Sequence, residues 1–246
     1  KKVNKDTITE IKHRAEEGRK ELLDKAYKLI ADGVVVHDLQ QLYIRGNLVC
    51  GKGVEIDINV IIEGEVVLED GVYIGASCIL RNCKIGKNSS INPFSLVEDS
   101  IVGEKSFIGP YGRLRPGSSI ANNVQVGNFV EIKNAKIASK CRINHLSFIG
   151  DADLAEGVTI GAGTITCNHN GIDINHTSIG KDAYVGSGCN LVAPLKINSK
   201  STIASGSTIT KDTPSNSLTL ARSRQVVVEH WKGPKSRRKD TNKNIK

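Results

Sequence analysis

Residues Ser178–Thr213 read SIGKDAYVGSGCNLVAPLKINSKSTIASGSTITKDT, and within them Ile179, Val185, Leu191, Ile197, Ile203 and Ile209 place an aliphatic side chain at every sixth position. An amphipathic helix spaces its apolar residues by threes and fours and a half-buried strand by twos, so a strict period of six belongs to neither. It fits a β-helix of hexapeptides, in which each short strand sends one aliphatic side chain inward to stack on its counterpart in the next coil. Three hexapeptides close one triangular coil.

The same register runs back through most of the chain. Val102, Ile108, Leu114, Ile120, Val126 and Ile132 form a second unbroken run, and Ile56, Ile62, Leu68, Ile74 and Leu80 a third. Ile85, Ile91 and Val97, and then Ile143 and Ile149, lie between them with five-residue slips at the joins. The repeat therefore spans 54–213. Gly follows the inward Ile at 85, 108, 149, 160 and 179, which suits tight corners where a side chain would strain the backbone.

Composition agrees with a solenoid. Aromatic residues make up 4% of the chain, and a core of stacked Ile, Val and Leu needs few rings. One solenoid with appendages accounts for all 246 residues. The chain has no Met and starts at Lys1, so it reads as a piece of a longer protein. No apolar run approaches the ~20 residues of a membrane span, and no signal peptide is visible; a soluble, cytoplasmic protein is expected. Cys50, Cys78, Cys83, Cys141, Cys167 and Cys189 form no CxxC pair and read as reduced thiols, several of them small buried residues. The net charge of +8 gathers in the opening segment and after Trp231. Aromatic residues do not interleave with it, which sets nucleic acid aside and favours attraction for phosphorylated small molecules.

Three regions follow. Residues 1–44 hold a connector helix and lead-in, with Ile8, Ile11, Ala15, Leu22, Ala26, Leu29 and Ile30 as a loose apolar stripe and Gly33 as its stop. Residues 45–213 are the β-helix. Residues 214–246 form a docking segment, with Val226–Val228 and Trp231 as a last strand or contact, and a basic disordered tail.

The repeat is interrupted once in a way that points to function. After Thr166 the register lapses and returns at Ile179, leaving CNHNGIDINH (167–176) to bulge from the prism; polar loops expelled from a rigid scaffold often carry the chemistry. His145, His169 and His176 are the histidines that coils and loop bring nearest, but none has the close ligand spacing of a zinc motif. His145 lies two residues past the inward Ile143 and so projects outward near a corner.

GRLRPG (112–117), GNFVEIK (127–133), HL (145–146), GAGTITCN (161–168) and LVAP (191–194) together resemble the C-terminal domain of the GlmU family. These are bacterial bifunctional glucosamine-1-phosphate acetyltransferases and N-acetylglucosamine-1-phosphate uridyltransferases. The resemblance runs from about Arg45 to Trp231, and residues 5–33 look like the family's interdomain helix. It implies an all-β fold, a left-handed parallel β-helix of hexapeptide repeats, assembled as a homotrimer with active sites between subunits. The implied reaction is N-acetylation of glucosamine-1-phosphate by acetyl-CoA, on the route to UDP-N-acetylglucosamine and the cell envelope. His145 matches the general base and Glu131 is the candidate for orienting it. Arg115 and Lys133 match the residues that hold the sugar phosphate. Backbone NH groups near Ala162 match the oxyanion site. Ala162, Asn168, Ser187, Ser205 and Arg222 match acetyl-CoA contacts. Mg2+ belongs only to the uridyltransferase domain, which would precede Lys1.

Where the family carries Tyr, Asn and Lys at the sugar site, this chain reads Phe148, Thr159 and Ile174, and the Tyr after the loop Asn is His169. Altered amino-sugar specificity and a scaffold with decayed activity are the alternatives these departures raise. Zinc-dependent carbon dioxide hydration, known for some hexapeptide β-helices, is a third.

Overall fold

The computed structural model describes residues 4–231; the expected basic tail lies outside the described residues. Helix α1 (Lys5–Ala31) starts at Asn4, whose side chain accepts from the Asp6 amide. It stops as Gly33 (φ +86°) lets the Val34 amide reach Leu29 O and its own amide reach Ile30 O, both at 3.0 Å. This is a Schellman closure, and Val34 packs with Leu29 beneath it, both buried. Of the apolar stripe read in the sequence, Ala26 and Leu29 are buried while Ile8, Ile11 and Ile30 stay exposed. The C-terminal turns of α1 thus cap the first coils, with the Arg19 guanidinium over the Tyr43 ring at 5.7 Å.

The rest is a left-handed parallel β-helix with three flat faces. One face is an 11-stranded sheet running from Val35–Val36 to Leu218–Thr219. The paired coils thus reach beyond both ends of the hexapeptide run: Val35–Val36 pairs with Glu55–Ile56, and Leu218–Thr219 with Thr202–Ile203. The last strand is Leu218–Thr219; Val226–Val228 and Trp231 form no strand and are exposed.

The other two faces share a continuous hydrogen-bonded ladder because strands such as Val60–Leu68, Glu131–Ile137 and Phe148–Leu154 bend through the corner between them. At that corner sits a residue with positive φ: Gly64, Asn82, Asp99, Asn134 or Asp151. The five-residue slips seen in the sequence are all here. Between Leu80 and Ile85, Val97 and Val102, Ile132 and Ile137, and Ile149 and Leu154, the corner is Asn82, Asp99, Asn134 and Asp151 in turn. Asn and Asp tolerate the left-handed conformation better than other side chains, so one of them turns the corner with a residue to spare.

A second buried column stands beside the aliphatic one, two residues before it. Val54, Val60, Val66 and Val72 begin it; Cys78, Cys83, Ser89, Ser95, Ser100 and Ser106 continue it. Cys141 and Cys189 occupy the same position higher up, so four of the six free cysteines serve as small core residues. Burial pushes the Cys83 thiol up to about 12 and those of Cys78 and Cys141 to about 11. The serines are satisfied between coils: Ser89 Oγ donates to Gly103 O at 2.7 Å and accepts from the Ser106 amide at 2.9 Å.

Ile132 lies fully buried in the aliphatic stack, paired with Leu114 and Ile149 on the adjacent coils. Ile132→Ala should lower stability by about 2–5 kcal/mol, the range for opening a cavity in a packed core, measured by urea unfolding.

Candidate functional site

Backbone register brings the sequence-identified residues into line. The Leu146 amide bonds Asn128 O, that of Gly163 bonds His145 O, that of Gly188 bonds Ala162 O and that of Gly206 bonds Ser187 O. His145, Ala162, Ser187 and Ser205 therefore occupy the same corner on four successive coils. At the top the Arg222 guanidinium donates to Ser205 O at 2.9 Å. Four residues separated by 60 positions in the chain form one column, with Arg222 at its end.

The corner changes character at His145. Below it the positive-φ position carries Phe94, Tyr111 and Phe129, whose rings stack at 5.1 and 5.0 Å, and then Leu146. All four are exposed. Above it the same position is Gly163, Gly188 and Gly206, and a Cβ built on Gly188 or Gly206 meets nothing within 4 Å. His145 thus stands where a wall of rings gives way to a strip of bare backbone. Its own ring is exposed and makes no hydrogen bond among the described residues. The Ala162 amide beside it takes no part in the backbone bonding of the coil.

Around the corner from this column lies a ladder of charge. Arg45, Glu63, Arg81 and Glu98 follow one another on adjacent coils, with Arg45–Glu63 at 3.4 Å and Arg81 bridging Glu63 and Glu98 at 2.5 Å each. The alternation then fails, because the next two rungs are Arg115 and Lys133. Arg115 Nη1 is paired sideways with Glu131 Oε1 at 2.8 Å, and the nearest carboxylate to Lys133 Nζ is Asp151 at 3.9 Å. Two cations stacked one coil apart favour an anion between them. The rung above is Gly150, over which the Phe148 ring lies; a Cβ there would meet Phe148 Cζ at 2.5 Å.

Known proteins resemble this chain over most of its length. The chain is 46% identical over 209 residues to the bifunctional protein GlmU of Aromatoleum aromaticum, covering 85% of this chain and 46% of that one. It is 48% identical over 214 residues to that of Chromobacterium violaceum (87% and 47%), and 47% over 218 residues to that of Nitrosospira multiformis (89% and 47%). The chain is homologous to one part of GlmU. It spans about half the length of these relatives. The model of the GMPPB C-terminal domain matches residues 44–118. Solved structures with similar coils include LpxA from Acinetobacter baumannii (16% identity, 75% and 70% of the two chains, TM-score 0.37) and an Arabidopsis UDP-N-acetylglucosamine acyltransferase (18%, 76% and 69%, 0.40).

In this chain the remaining candidate residues fall in two places. Arg115, Lys133, Glu131 and Phe148 share one face, but Thr159 lies on the 11-stranded face beside Arg142 and Tyr184. Glu131 is engaged by Arg115 rather than joined to His145. The insertion is a small hairpin: His169 bridges Ile174, and the Asn170 side chain accepts from the amides of Ile172 and Asp173. His169 Nδ1 accepts from the Gly171 amide at 3.2 Å, and His176 pairs with Asp153 at 3.4 Å. Ile172 and Ile174 project into solvent. The hairpin is why the coil between Thr159 and its partner Tyr184 is longer than the others. A surface cleft of about 670 Å3 lies on the third face, lined by Lys136, Asp153, Ile179 and Ile197 among others, away from the His145 column.

Several carboxylates are held below their ordinary range: Glu63 by Arg81, Glu69 by Lys84, Asp70 by Lys87 and Glu156 by Lys140. Burial pushes Asp151 upward, but hydrogen bonds from Asn134 and Asn168 and the charge of Lys133 bring it below the usual value. Each depressed carboxylate binds its proton more readily in the unfolded chain, so its contribution is present above the unfolded value and fades as pH falls through the folded one. Stability should be level down to about pH 5 and decline steadily below about pH 4, read as a falling urea midpoint between pH 6 and pH 3.

Proposed function

We propose that this chain is an acetyl-CoA dependent N-acetyltransferase whose acceptor is glucosamine-1-phosphate. The observation that carries the reading is the His145 corner. A lone exposed imidazole heads a bare glycine-edged strip that ends at Arg222, with the stacked cations Arg115 and Lys133 on the adjoining face. A long, thin thioester can lie along backbone that carries no side chains, its phosphates toward Arg222 and its acetyl group at His145.

The chemistry follows from these positions. The acceptor amine attacks the thioester carbonyl; the N–C bond forms as the C–S bond breaks. His145 takes the proton lost by the amine and returns it to the departing thiolate. The Ala162 amide donates to the carbonyl oxygen as it gains charge. No cysteine is acylated, consistent with the burial of most of the thiols. Arg115, braced by Glu131, and Lys133 hold the acceptor's phosphate, and Asn168 and Ser187 line the coenzyme's path. His169, where the resemblance implies Tyr, lies at the foot of the loop.

Thr159 on the neighbouring face supports an acceptor site shared between subunits. A homotrimer, in which the 11-stranded face of one copy meets the Arg115–Lys133 face of the next, joins them. The acetylated sugar phosphate suits uridylylation toward cell-envelope precursors, carried out by a separate domain with its own Mg2+.

A thiol-release assay with acetyl-CoA and glucosamine-1-phosphate tests the assignment, and no release would overturn it. His145→Ala should lower turnover at least about a hundredfold. Lys133→Ala should raise KM for the phosphorylated acceptor by about tenfold or more while changing a non-phosphorylated amino sugar little. A second reading rests on Phe148 and the solvent-facing Ile174, which present apolar surface where the resemblance implies hydroxyl and ammonium groups. Release that is faster with another amino sugar in a parallel panel would support that retuned acceptor.

A further inference from the structure

Asp151 is a carboxylate only 6% exposed, turning a corner at φ +49°. The same corner three coils below is turned by Asp99, which is exposed and accepts one bond, from Asn82 Nδ2 at 3.1 Å. The corner therefore does not require a buried charge. Removing a carboxylate from water costs several kcal/mol unless its oxygens are satisfied, and Asp151 is satisfied by three groups. Asn134 Nδ2 donates to Oδ1 at 2.6 Å, Asn168 Nδ2 donates to Oδ2, and Lys133 Nζ lies 3.9 Å from that same Oδ2.

Two of these partners belong to the proposed site, Lys133 on the coil below Asp151 and Asn168 on the coil above. Lys133 is one of the stacked cations. Asn168 is the first residue of the hairpin loop, and its carbonyl closes the loop's stem by accepting from the Asn175 amide at 2.6 Å. The other stem is tied to the same strand, Phe148–Leu154, through His176 and Asp153.

We infer that Asp151 is a positioning residue, a buried carboxylate that fixes the root of the 168–176 loop against Lys133 and so sets the spacing between the coenzyme and acceptor-phosphate sites. This rests on the acetyltransferase reading. Asp151 touches neither substrate; it acts through Asn168 and Lys133.

Asp151→Asn tests it with the shape unchanged. The new amide replaces one of the two acceptor oxygens with a donor, so that Asn168 and Asn134 can no longer both donate to it, and it removes the charge facing Lys133. Amide hydrogen exchange across residues 168–176 should rise by roughly tenfold, coenzyme A should bind at least fivefold more weakly by calorimetry, and KM for the sugar phosphate should rise while kcat changes less. Asp99→Asn should move none of these. The double change D151N/N168D, which reverses the polarity of the lost hydrogen bond, should restore slow exchange in the loop.

Unchanged loop exchange and coenzyme affinity in D151N, or a lower melting temperature alone, would overturn the inference and leave Asp151 as a corner residue like Asp99. A wild-type chain that binds no coenzyme would overturn both the acetyltransferase reading and Asp151's part in it. That outcome is told apart from the first because loop exchange in D151N still rises.

Discussion

Each coil of this molecule must turn between flat strands within a residue or two, and it does so by placing one residue in the left-handed region of backbone space. That region costs an ordinary L residue roughly 1–2 kcal/mol, so the corners are the most constrained positions in the fold. Gly, Asn and Asp hold many of them, as at Gly64, Asn82, Asp99 and Asn134. The stacked aliphatic core depends on these turns: a corner that closes in the wrong number of residues moves every later side chain out of the stack.

Among the described residues, the bulky apolar exceptions to the cheap corner residues all fall in the one column that leads to the candidate site. Phe94, Tyr111, Phe129 and Leu146 adopt positive φ although their side chains are bulky, and the first three recover part of that cost by stacking face to face. Above His145 the corner reverts to glycine. Local strain of this kind is retained where the surroundings hold it and function uses it; here it divides a ridge from a groove at the one exposed imidazole of the corner. The charge ladder tells the same story on the adjoining face. Lower coils neutralise Arg45 and Arg81 with Glu63 and Glu98, while Arg115 and Lys133 follow each other without an intervening acid.

Much of this was legible in advance. The period of six marked the inward aliphatics from Ile56 to Ile209, and each is buried. The lapse after Thr166 marked the loop. Short strings such as GRLRPG and GAGTITCN marked the resemblance to GlmU and, through it, the candidate residues of the site. Less legible was the second inward column. Its members range over Val, Cys, Ser, Ala and Thr, because the space beside a corner admits only small side chains, polar or not; the buried serines find hydrogen bonds on neighbouring coils, whereas the Thr177 hydroxyl has none among the described residues. The five-residue slips were visible, but not that all of them fall on one corner and are turned by Asn or Asp.

Residue order alone determined the repeat, the inward face of each strand and the point where the loop leaves the prism, since those depend on spacing within a coil. Tertiary structure decided which residues of different coils stand together. It stacked His145, Ala162, Ser187 and Ser205 and brought Asp151 against both Lys133 and Asn168. It also set Thr159 on another face and gave Glu131 to Arg115. Contacts between coils depend on the summed lengths of every turn in between, and a coil lengthened by a loop or shortened by one αL aspartate shifts them all.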